Sequence, residues 1–209
     1  MSESKDVTLG LLRQRPRSFK WRLTRRGLIA YEPRTATTIR LDPNETQEFL
    51  GRPVSFERLD DFAEIVHLEV SAQCQLACPY CYVHPKGGEE LSTENWKRII
   101  SDLAGYGVLQ VTFGGGEPTL RPDLKELALH VRRSGLNLCM TTNGMGLTAI
   151  GPDTLCLFNQ VNVSYHHAAP RETLSEALSH LRGHRIPAGV NFLAIGEYVP
   201  ELPRIADMA

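Results

Sequence analysis

Residues 74–81 read Cys-Gln-Leu-Ala-Cys-Pro-Tyr-Cys, which places Cys74, Cys78 and Cys81 in a C-x3-C-x2-C pattern on one short segment. The segment follows closely on the stretch from Ile65 to Val70, which predicts a strand. Three of the chain's five cysteines therefore stand together. Three thiolates this close can each bind one iron of a cubane iron–sulfur cluster, which leaves the fourth iron open to another ligand. The pattern thus predicts a metal centre at the end of a strand.

A zinc site is the alternative interpretation of the same cysteines. Zinc prefers four tetrahedral ligands, and the segment itself supplies three. His84, which follows shortly after Cys81, could serve as the fourth. From the residues alone, both kinds of metal centre stay open.

The chain from residue 63 to residue 209 alternates between predicted strands and predicted amphipathic helices. Trp96, Ile100 and Leu103, for example, fall on one face of the first of these helices. Such alternation is typical of right-handed crossovers and a parallel sheet. The predicted strands are Ile65–Val70, Val108–Phe113, Leu136–Thr142, Val161–Tyr165 and Ala188–Ile195.

Residues 1–62 have a different pattern, which predicts a small β-meander followed by one helix. Phe19–Leu23 alternates apolar and charged side chains, as a half-exposed strand does. Asp42 and Pro43 are typical of the cap and the first turn of a helix, which is predicted to continue to Leu50. The other predicted features are strands at Leu28–Tyr31 and Thr37–Leu41, with turns at Arg26-Gly27 and Pro33-Arg34.

Charge and hydropathy limit the classes of partner. The net charge of −1 gives no general attraction to nucleic acid, so none is expected as a partner. Seven Lys or Arg and no acidic residue fall between Arg13 and Arg26. This basic segment could steer an acidic peptide or a phosphate-rich partner, or it could form a solvated strand face. No apolar stretch approaches the ~18 residues of a membrane span, and no signal-peptide core is found, so a cytoplasmic protein is expected.

Glycine and polar residues occur where the later strands end. Residues 113–118 read Phe-Gly-Gly-Gly-Glu-Pro. The glycines allow a ligand to approach the backbone closely, and Glu117 offers a carboxylate to an ammonium group. The third strand ends in Thr-Thr-Asn-Gly at 141–144, which is typical of a turn, and Asn143 could either hold this loop or contact a ligand. We expect four residues to converge at one mouth of the sheet: Cys74, Glu117, Ser164 and Asn191.

The cysteine pattern with Tyr80 before its last cysteine, together with Gly-Gly-Glu-Pro at 115–118, resembles the signature of the radical S-adenosylmethionine (SAM) superfamily. The resemblance covers residues 63–209. It implies an α/β fold, a partial (β/α)6 barrel with about five parallel strands, and a [4Fe-4S] cluster on Cys74, Cys78 and Cys81. In that family the fourth iron binds SAM. One electron then cleaves SAM to methionine and a 5′-deoxyadenosyl radical, which abstracts hydrogen from a substrate.

The same resemblance implies a set of SAM-binding residues. Members of the family bind the amino group of SAM through the Gly-Gly-Glu-Pro motif, and the adenine lies along the chain at the aromatic residue. A serine at the end of the fourth strand reaches the carboxylate or the ribose, and a polar residue on the fifth strand can contact SAM. The residues at these positions are Tyr80, Gly115, Gly116, Glu117, Ser164 and Asn191.

One position departs from the pattern of the family. The fourth strand usually continues to Asp-Gly in peptide-maturing members, whereas here Ser164 is followed by Tyr165-His166-His167. Two histidines at the mouth of a barrel could donate protons or contact a substrate. They could equally be polar loop residues that bond to the backbone.

Within the family, the layout is similar to that of peptide- or protein-modifying (SPASM-type) members, and the element at 1–62 resembles their leader-peptide recognition modules. We therefore expect a radical SAM enzyme that modifies a peptide or protein in a maturation pathway and is reduced by a flavodoxin- or ferredoxin-type protein. A C-terminal part with the sixth strand, and with the cysteine-rich domain common in such members, is expected to be missing. The alternatives are radical SAM chemistry in small-molecule or cofactor biosynthesis, and a non-catalytic iron–sulfur protein.

Overall fold

The computed structural model describes residues 19–32, 37–59, 62–83 and 89–208. The chain divides into two compact units, one that ends at Glu64 and one that begins at Ile65. Three features named above lie outside the described residues, namely the part of the basic segment before Phe19, the turn at Pro33-Arg34, and His84.

The unit that ends at Glu64 is a three-stranded antiparallel sheet with one α-helix. The strands pair in chain order, so the predicted meander is present. Leu28, Ala30, Ile39 and Leu41 form its buried core. The elements are β1 (Lys20–Thr24), β2 (Gly27–Glu32), β3 (Thr37–Leu41) and α1 (Pro43–Leu50).

Polar contacts fix the start of α1. Asp42 accepts hydrogen bonds from the backbone N–H groups of Asn44 and Glu45, and the Glu45 carboxylate accepts one in return from the N–H of Asp42. Thr46 is fully buried, and its hydroxyl accepts a bond from the N–H of Leu28 at 2.9 Å. A capping box therefore begins the helix, and Thr46 attaches it to β2.

The described part of the basic segment contacts the chain of its own unit. The guanidinium groups of Arg22 and Arg25 donate to the carbonyl oxygens of Phe62 and Leu59, each at 2.7 Å. These two arginines therefore serve to hold the segment that follows α1.

The unit that begins at Ile65 is a five-stranded parallel sheet, and its strand order follows the chain. The predicted α/β alternation with five parallel strands is confirmed. The strands are β4 (Ile65–Ser71), β5 (Gln110–Gly115), β6 (Asn137–Thr142), β7 (Gln160–Ser164) and β8 (Ala188–Asn191).

Helices follow these strands, as the sequence predicted. Over the described ranges, none of the helices is long and apolar enough to span a membrane. Short 3-10 turns occur at Phe56–Arg58, Pro118–Leu120, Leu147–Ala149 and Val199–Glu201. The α-helices are α2 (Thr93–Gly105), α3 (Leu124–Arg133), α4 (Pro152–Leu155), α5 (Thr173–Gly183) and α6 (Leu202–Ala206).

β8 is shorter than predicted. It ends at Asn191, whereas the sequence predicted a strand to Ile195. The chain turns after the strand, because the N–H of Ile195 bonds to the carbonyl of Leu193 and the N–H of Tyr198 bonds to the carbonyl of Ile195. The apolar residues of this stretch do not indicate where the turn begins.

The two faces of the parallel sheet differ in polarity. Val111, Leu138 and Val161 are fully buried and belong to the core that the strands share with the helices. On the other face of β7, the side-chain amide of Gln160 donates to that of Asn162 at 3.0 Å. One face therefore holds the helices, and the other carries groups that can form hydrogen bonds.

A buried arginine fixes the end of β4, just before the cysteine segment. The guanidinium of Arg121 donates to the Val70 carbonyl at 2.6 Å and to both carboxylate oxygens of Asp123 at 2.7 Å. Because the Asp123 carboxylate accepts these bonds, its pKa lies below the usual value. Glu90 lies 3.5 Å from the same guanidinium and accepts a bond from the Ser71 hydroxyl at 2.8 Å. Arg121 thus joins β4 to the segments that precede α2 and α3.

Arg121→Met should lower the free energy of unfolding by about 1–3 kcal/mol, since it takes a donor from the half-buried Asp123 carboxylate and from the Val70 carbonyl. Lys125→Met is the matched control, because Lys125 is 53% exposed and 3.7 Å from Asp153, and its loss should cost less than about 1 kcal/mol. Urea unfolding followed by circular dichroism compares the two variants. Equal losses would contradict the role given to Arg121.

Candidate functional site

The three cysteines lie on the loop that follows β4, and all three are half-buried. Local bonds shape this loop, since the N–H of Cys81 donates to the Cys78 carbonyl at 3.2 Å and the N–H of Leu76 to Sγ of Cys74 at 3.4 Å. The loop borders a cavity of about 140 Å³. The walls of this cavity include Cys74, Cys78, Tyr80, Cys81, Gly115, Gly116, Asn143, Ser164 and His166.

The glycine run at the end of β5 packs against the backbone that leads to Cys74. A Cβ on Gly116 would lie 2.2 Å from the carbonyl oxygen of Gln73, and one on Gly115 would lie 2.4 Å from that of Ser71. Gly115 also has a φ of +107°, a conformation that L-residues rarely adopt. The glycines are therefore required for contact between two backbones, and the same two residues line the cavity.

The Glu117 carboxylate is completely buried and joins the ends of β5 and β6. Its Oε1 accepts from the N–H and the hydroxyl of Thr119, at 3.1 and 2.7 Å, and from the Thr142 hydroxyl at 2.7 Å. Its Oε2 accepts from the N–H of Asn143 at 2.7 Å. An ammonium group of the kind predicted from the motif would therefore have to reach Oε2. This contact stays a prediction.

Asn143 connects the end of β6 to the cysteine loop. Its side-chain oxygen accepts from the N–H of Met145 at 2.9 Å, which is the turn that the sequence predicted. Its side-chain NH₂ donates to the Gln75 side chain at 3.1 Å and lies 3.8 Å from Sγ of Cys74. The residue thus forms a turn and also holds the first cysteine, a second role that the Asn-Gly pattern did not indicate.

Ser164 and Asn191 are register partners on β7 and β8. Ser164 lines the cavity together with the cysteines. Asn191 lies on the next strand, where its carbonyl accepts from the N–H of Tyr165 at 2.9 Å. Of the four residues expected to converge, Cys74 and Ser164 therefore border the cavity, Glu117 is buried behind it, and Asn191 lies one strand farther away. The proposed contacts of these residues with SAM stay predictions.

Aromatic side chains lie on one side of the cavity. Nδ1 of His166 is 3.5 Å from Sγ of Cys78 and 3.3 Å from the Tyr80 hydroxyl, and the rings of Tyr80 and His166 stack with centroids 6.2 Å apart. Burial raises the pKa of Tyr80 above its usual value, and the charge of Cys78 adds to the rise. The neighbouring His167 stacks on Tyr198 at 3.8 Å. Sequence reasoning gave His166 no specific role beside a cysteine.

The donor set fits an iron–sulfur cluster. Three thiol groups border one cavity, and the N–H of Leu76 and the amide of Asn143 point to the sulfur of Cys74. Hydrogen bonds to the sulfurs are a common feature around such clusters. Within the described ranges, no three His, Cys, Asp or Glu side chains gather around one point that could hold a single metal ion. A cubane needs no such point, because each cysteine binds a different iron.

The fold and the site together define an α/β protein with part of a parallel barrel and a three-cysteine loop at the carboxyl ends of its strands. The family model for the radical SAM superfamily matches residues 68–191, which is more than half of the chain. The chain belongs to the radical SAM superfamily.

Curated relatives match part of the chain. The PqqA peptide cyclase of Rhodopseudomonas palustris is 49% identical over 87 residues, which is 40% of this chain and 23% of that protein. The Fe-coproporphyrin III synthase of Methanosarcina barkeri is 39% identical over 108 residues, which is 50% of this chain and 26% of that protein. These matches thus cover about a quarter of the relatives' own length.

Solved structures resemble the fold of this chain over most of its length. Streptococcus suis SuiB bound to S-adenosylmethionine matches with a TM-score of 0.71 and 15% identity, over 92% of this chain and 59% of SuiB. SuiB bound to its precursor peptide SuiA matches with a TM-score of 0.69 over 91% of this chain. A match of this extent includes the α/β unit and also most of the unit that ends at Glu64.

Gly116→Ala should displace the segment before Cys74, because the added Cβ would overlap the Gln73 carbonyl. We expect a loss of about 1–3 kcal/mol in the free energy of unfolding, as for other overpacked sites, and a lower iron content after anaerobic reconstitution. Gly114→Ala is the control, since its Cβ meets nothing within 4 Å. If Gly116→Ala matches the control in urea unfolding and in iron content, the backbone contact does not position the loop.

Proposed function

We propose that this chain is the core of a radical SAM enzyme, in which Cys74, Cys78 and Cys81 bind a [4Fe-4S] cluster and SAM binds beside it. The observation that carries the proposal is that these cysteines border one cavity with the Gly115–Gly116 backbone, at the carboxyl ends of parallel strands. When bound, the cluster supplies the electron that cleaves SAM to methionine and a 5′-deoxyadenosyl radical, which abstracts hydrogen from the substrate.

The chain's own residues position these groups. The Gly115–Gly116 backbone borders the cavity with no side chain in the way, and we assign it, with Oε2 of Glu117, to the amino group of SAM. The Ser164 hydroxyl is assigned to the carboxylate or ribose of SAM, and Tyr80 to the adenine. Asn191, one strand farther out, is assigned a further contact with SAM.

A peptide or protein is the proposed substrate. Two observations support it, namely the identity to PqqA peptide cyclases at 49% over 87 residues and the likeness of fold to SuiB bound to a precursor peptide. The likeness to SuiB includes most of the N-terminal unit, whose sequence resembles leader-peptide recognition modules. We therefore assign peptide recognition to the unit that ends at Glu64 and chemistry to the unit that begins at Ile65.

Cofactor biosynthesis is the second candidate function. It is favoured by the match to Fe-coproporphyrin III synthase, which covers 50% of this chain. The two candidate functions share the cluster and SAM, and they differ in the substrate from which the radical abstracts hydrogen.

The proposed chemistry also indicates the kind of protein that reduces the cluster and the cellular compartment in which the enzyme works. The cluster needs one electron per cleavage, and we propose a flavodoxin- or ferredoxin-type protein as its source. Three closely spaced thiols are kept free of disulfides in a reducing environment, which supports a cytoplasmic location.

Cys78→Ala should abolish the cluster, because a cubane held by three cysteines on one loop loses one of its three protein ligands. Anaerobically reconstituted wild-type protein should contain about four iron and four sulfide per chain. Cys156→Ala is the control, since Cys156 is exposed and lies outside the loop. Iron and sulfide assays with absorption spectra measure the outcome. A full cluster in Cys78→Ala would contradict the assignment of Cys78 as a cluster ligand.

Reduced, reconstituted protein should form 5′-deoxyadenosine from SAM, slowly without substrate and several-fold faster with it. Chromatography of the nucleoside product measures this rate, with Cys78→Ala as the inactive control. A short peptide encoded beside the gene, compared with an iron tetrapyrrole that is a precursor of an iron porphyrin, then separates the two candidate functions. Acceleration by the tetrapyrrole precursor and not by the peptide would reject the peptide substrate, and no nucleoside product at all would reject the enzyme.

A further inference from the structure

The backbone around His166 is held by a hydrogen bond to β8 and by a turn that follows His166 itself. The N–H of Tyr165 donates to the Asn191 carbonyl at 2.9 Å, and the carbonyl of His166 accepts from the N–H of Ala169 at 3.1 Å. The Tyr165 ring also stacks on Phe192 with centroids 6.0 Å apart. The imidazole of His166 is therefore presented to the cavity from a backbone that is held on both sides.

Nδ1 of His166 faces two groups, Sγ of Cys78 at 3.5 Å and the hydroxyl of Tyr80 at 3.3 Å. A neutral imidazole nitrogen is either a donor or an acceptor. A cysteine that binds iron is a thiolate and can only accept. When Cys78 is a thiolate ligand, Nδ1 bonds to the sulfur only in the tautomer that carries its hydrogen on Nδ1. In the other tautomer Nδ1 accepts the hydroxyl hydrogen of Tyr80 instead.

We propose that His166 is a positioning residue that donates an N–H···S hydrogen bond to Cys78 and thereby raises the reduction potential of the bound cluster. The proposal rests on the proposed function, since it requires the three cysteines to hold the cluster. Its physical basis is that a donor beside a thiolate withdraws electron density and favours the reduced, more negative state, because hydrogen bonds to the sulfurs help to set cluster potentials.

His166 lies closer to its ligand sulfur than the side-chain amide of Asn143 does to its own, and the Tyr80 hydroxyl also bonds to the Cys78 sulfur. Asn143 lies 3.8 Å from Sγ of Cys74, whereas His166 lies 3.5 Å from Sγ of Cys78. The stacked ring of Tyr80, inclined by 12° to the imidazole, keeps the plane of His166 facing the loop. The distance from Nδ1 to the sulfur is thus within the range of a hydrogen bond to sulfur, and the neighbouring ring limits the orientation of the imidazole.

The test compares two substitutions at His166. His166→Leu removes the donor, whereas His166→Asn keeps an N–H group near the position of Nδ1. Reductive titration of the reconstituted protein without SAM, followed by EPR, measures the midpoint potential. In His166→Leu the equilibrium constant for one-electron reduction should fall roughly ten-fold, a shift of about 59 mV to lower potential. His166→Asn should keep most of the wild-type potential.

His167 provides the matched control. It is the same residue type on the same segment, and its described ring contacts are to Tyr198, with centroids 3.8 Å apart, and to Tyr165, with centroids 5.1 Å apart. His167→Leu should leave the midpoint potential unchanged. An equal shift in His167→Leu and His166→Leu, or no shift in His166→Leu, would overturn the inference. A wild-type protein that binds no cluster would instead overturn the proposed function, and the inference with it.

Pulsed EPR gives a second measurement that does not depend on the stability of His166→Leu. In wild-type protein labelled with ¹⁵N-histidine, the reduced cluster should show a weak hyperfine coupling to ¹⁵N of the His166 side chain. The coupling should vanish in His166→Asn and persist in His167→Asn. Absence of the coupling from the wild-type protein, or its persistence in His166→Asn, rejects the N–H···S bond.

Discussion

The contact between two backbones at the end of β5 is the constraint on which the candidate site depends. The N–H of Gly116 donates to the Ser71 carbonyl and the N–H of Glu117 to the Gln73 carbonyl, both at 2.6 Å. Side chains at 115 or 116 would occupy the space of these carbonyls. Since Cys74 follows Gln73 directly, the second strand of the sheet places the first cysteine, and the loop does not place it alone.

Much of the fold could be predicted from the sequence because its signals are local. The cap at Asp42 marks the start of α1, and each strand has its own apolar pattern. The end of β8 is set instead by a turn at Leu193–Ile195, which leaves no local pattern. The cysteine spacing and the glycine run also indicated which residues border the cavity, because the carboxyl ends of parallel strands meet at one edge of the sheet.

The side-chain chemistry of the site could not be predicted in the same way. The motif indicated a carboxylate at Glu117 but not its bonds to Thr142 and Asn143, which lie 25 and 26 residues later. The approach of His166 to Cys78 joins residues 88 apart in the chain. Such contacts depend on the register of neighbouring strands, and alternation of apolar residues specifies which face a residue takes rather than which distant residue it meets.

The strand order also bears on the stage of biosynthesis at which the proposed cluster could be inserted. Each strand from β5 to β8 pairs with the strand synthesised just before it, so the sheet can assemble in the order in which the chain emerges from the ribosome. The wall around the cysteines, however, includes Ser164 and His166, which are made long after Cys81. The thiols therefore exist before their cavity does. If the thiols bind the proposed cluster, iron and sulfide would enter a complete cavity only after β7 has joined the sheet, and until then the nascent thiols would depend on reducing surroundings to escape oxidation.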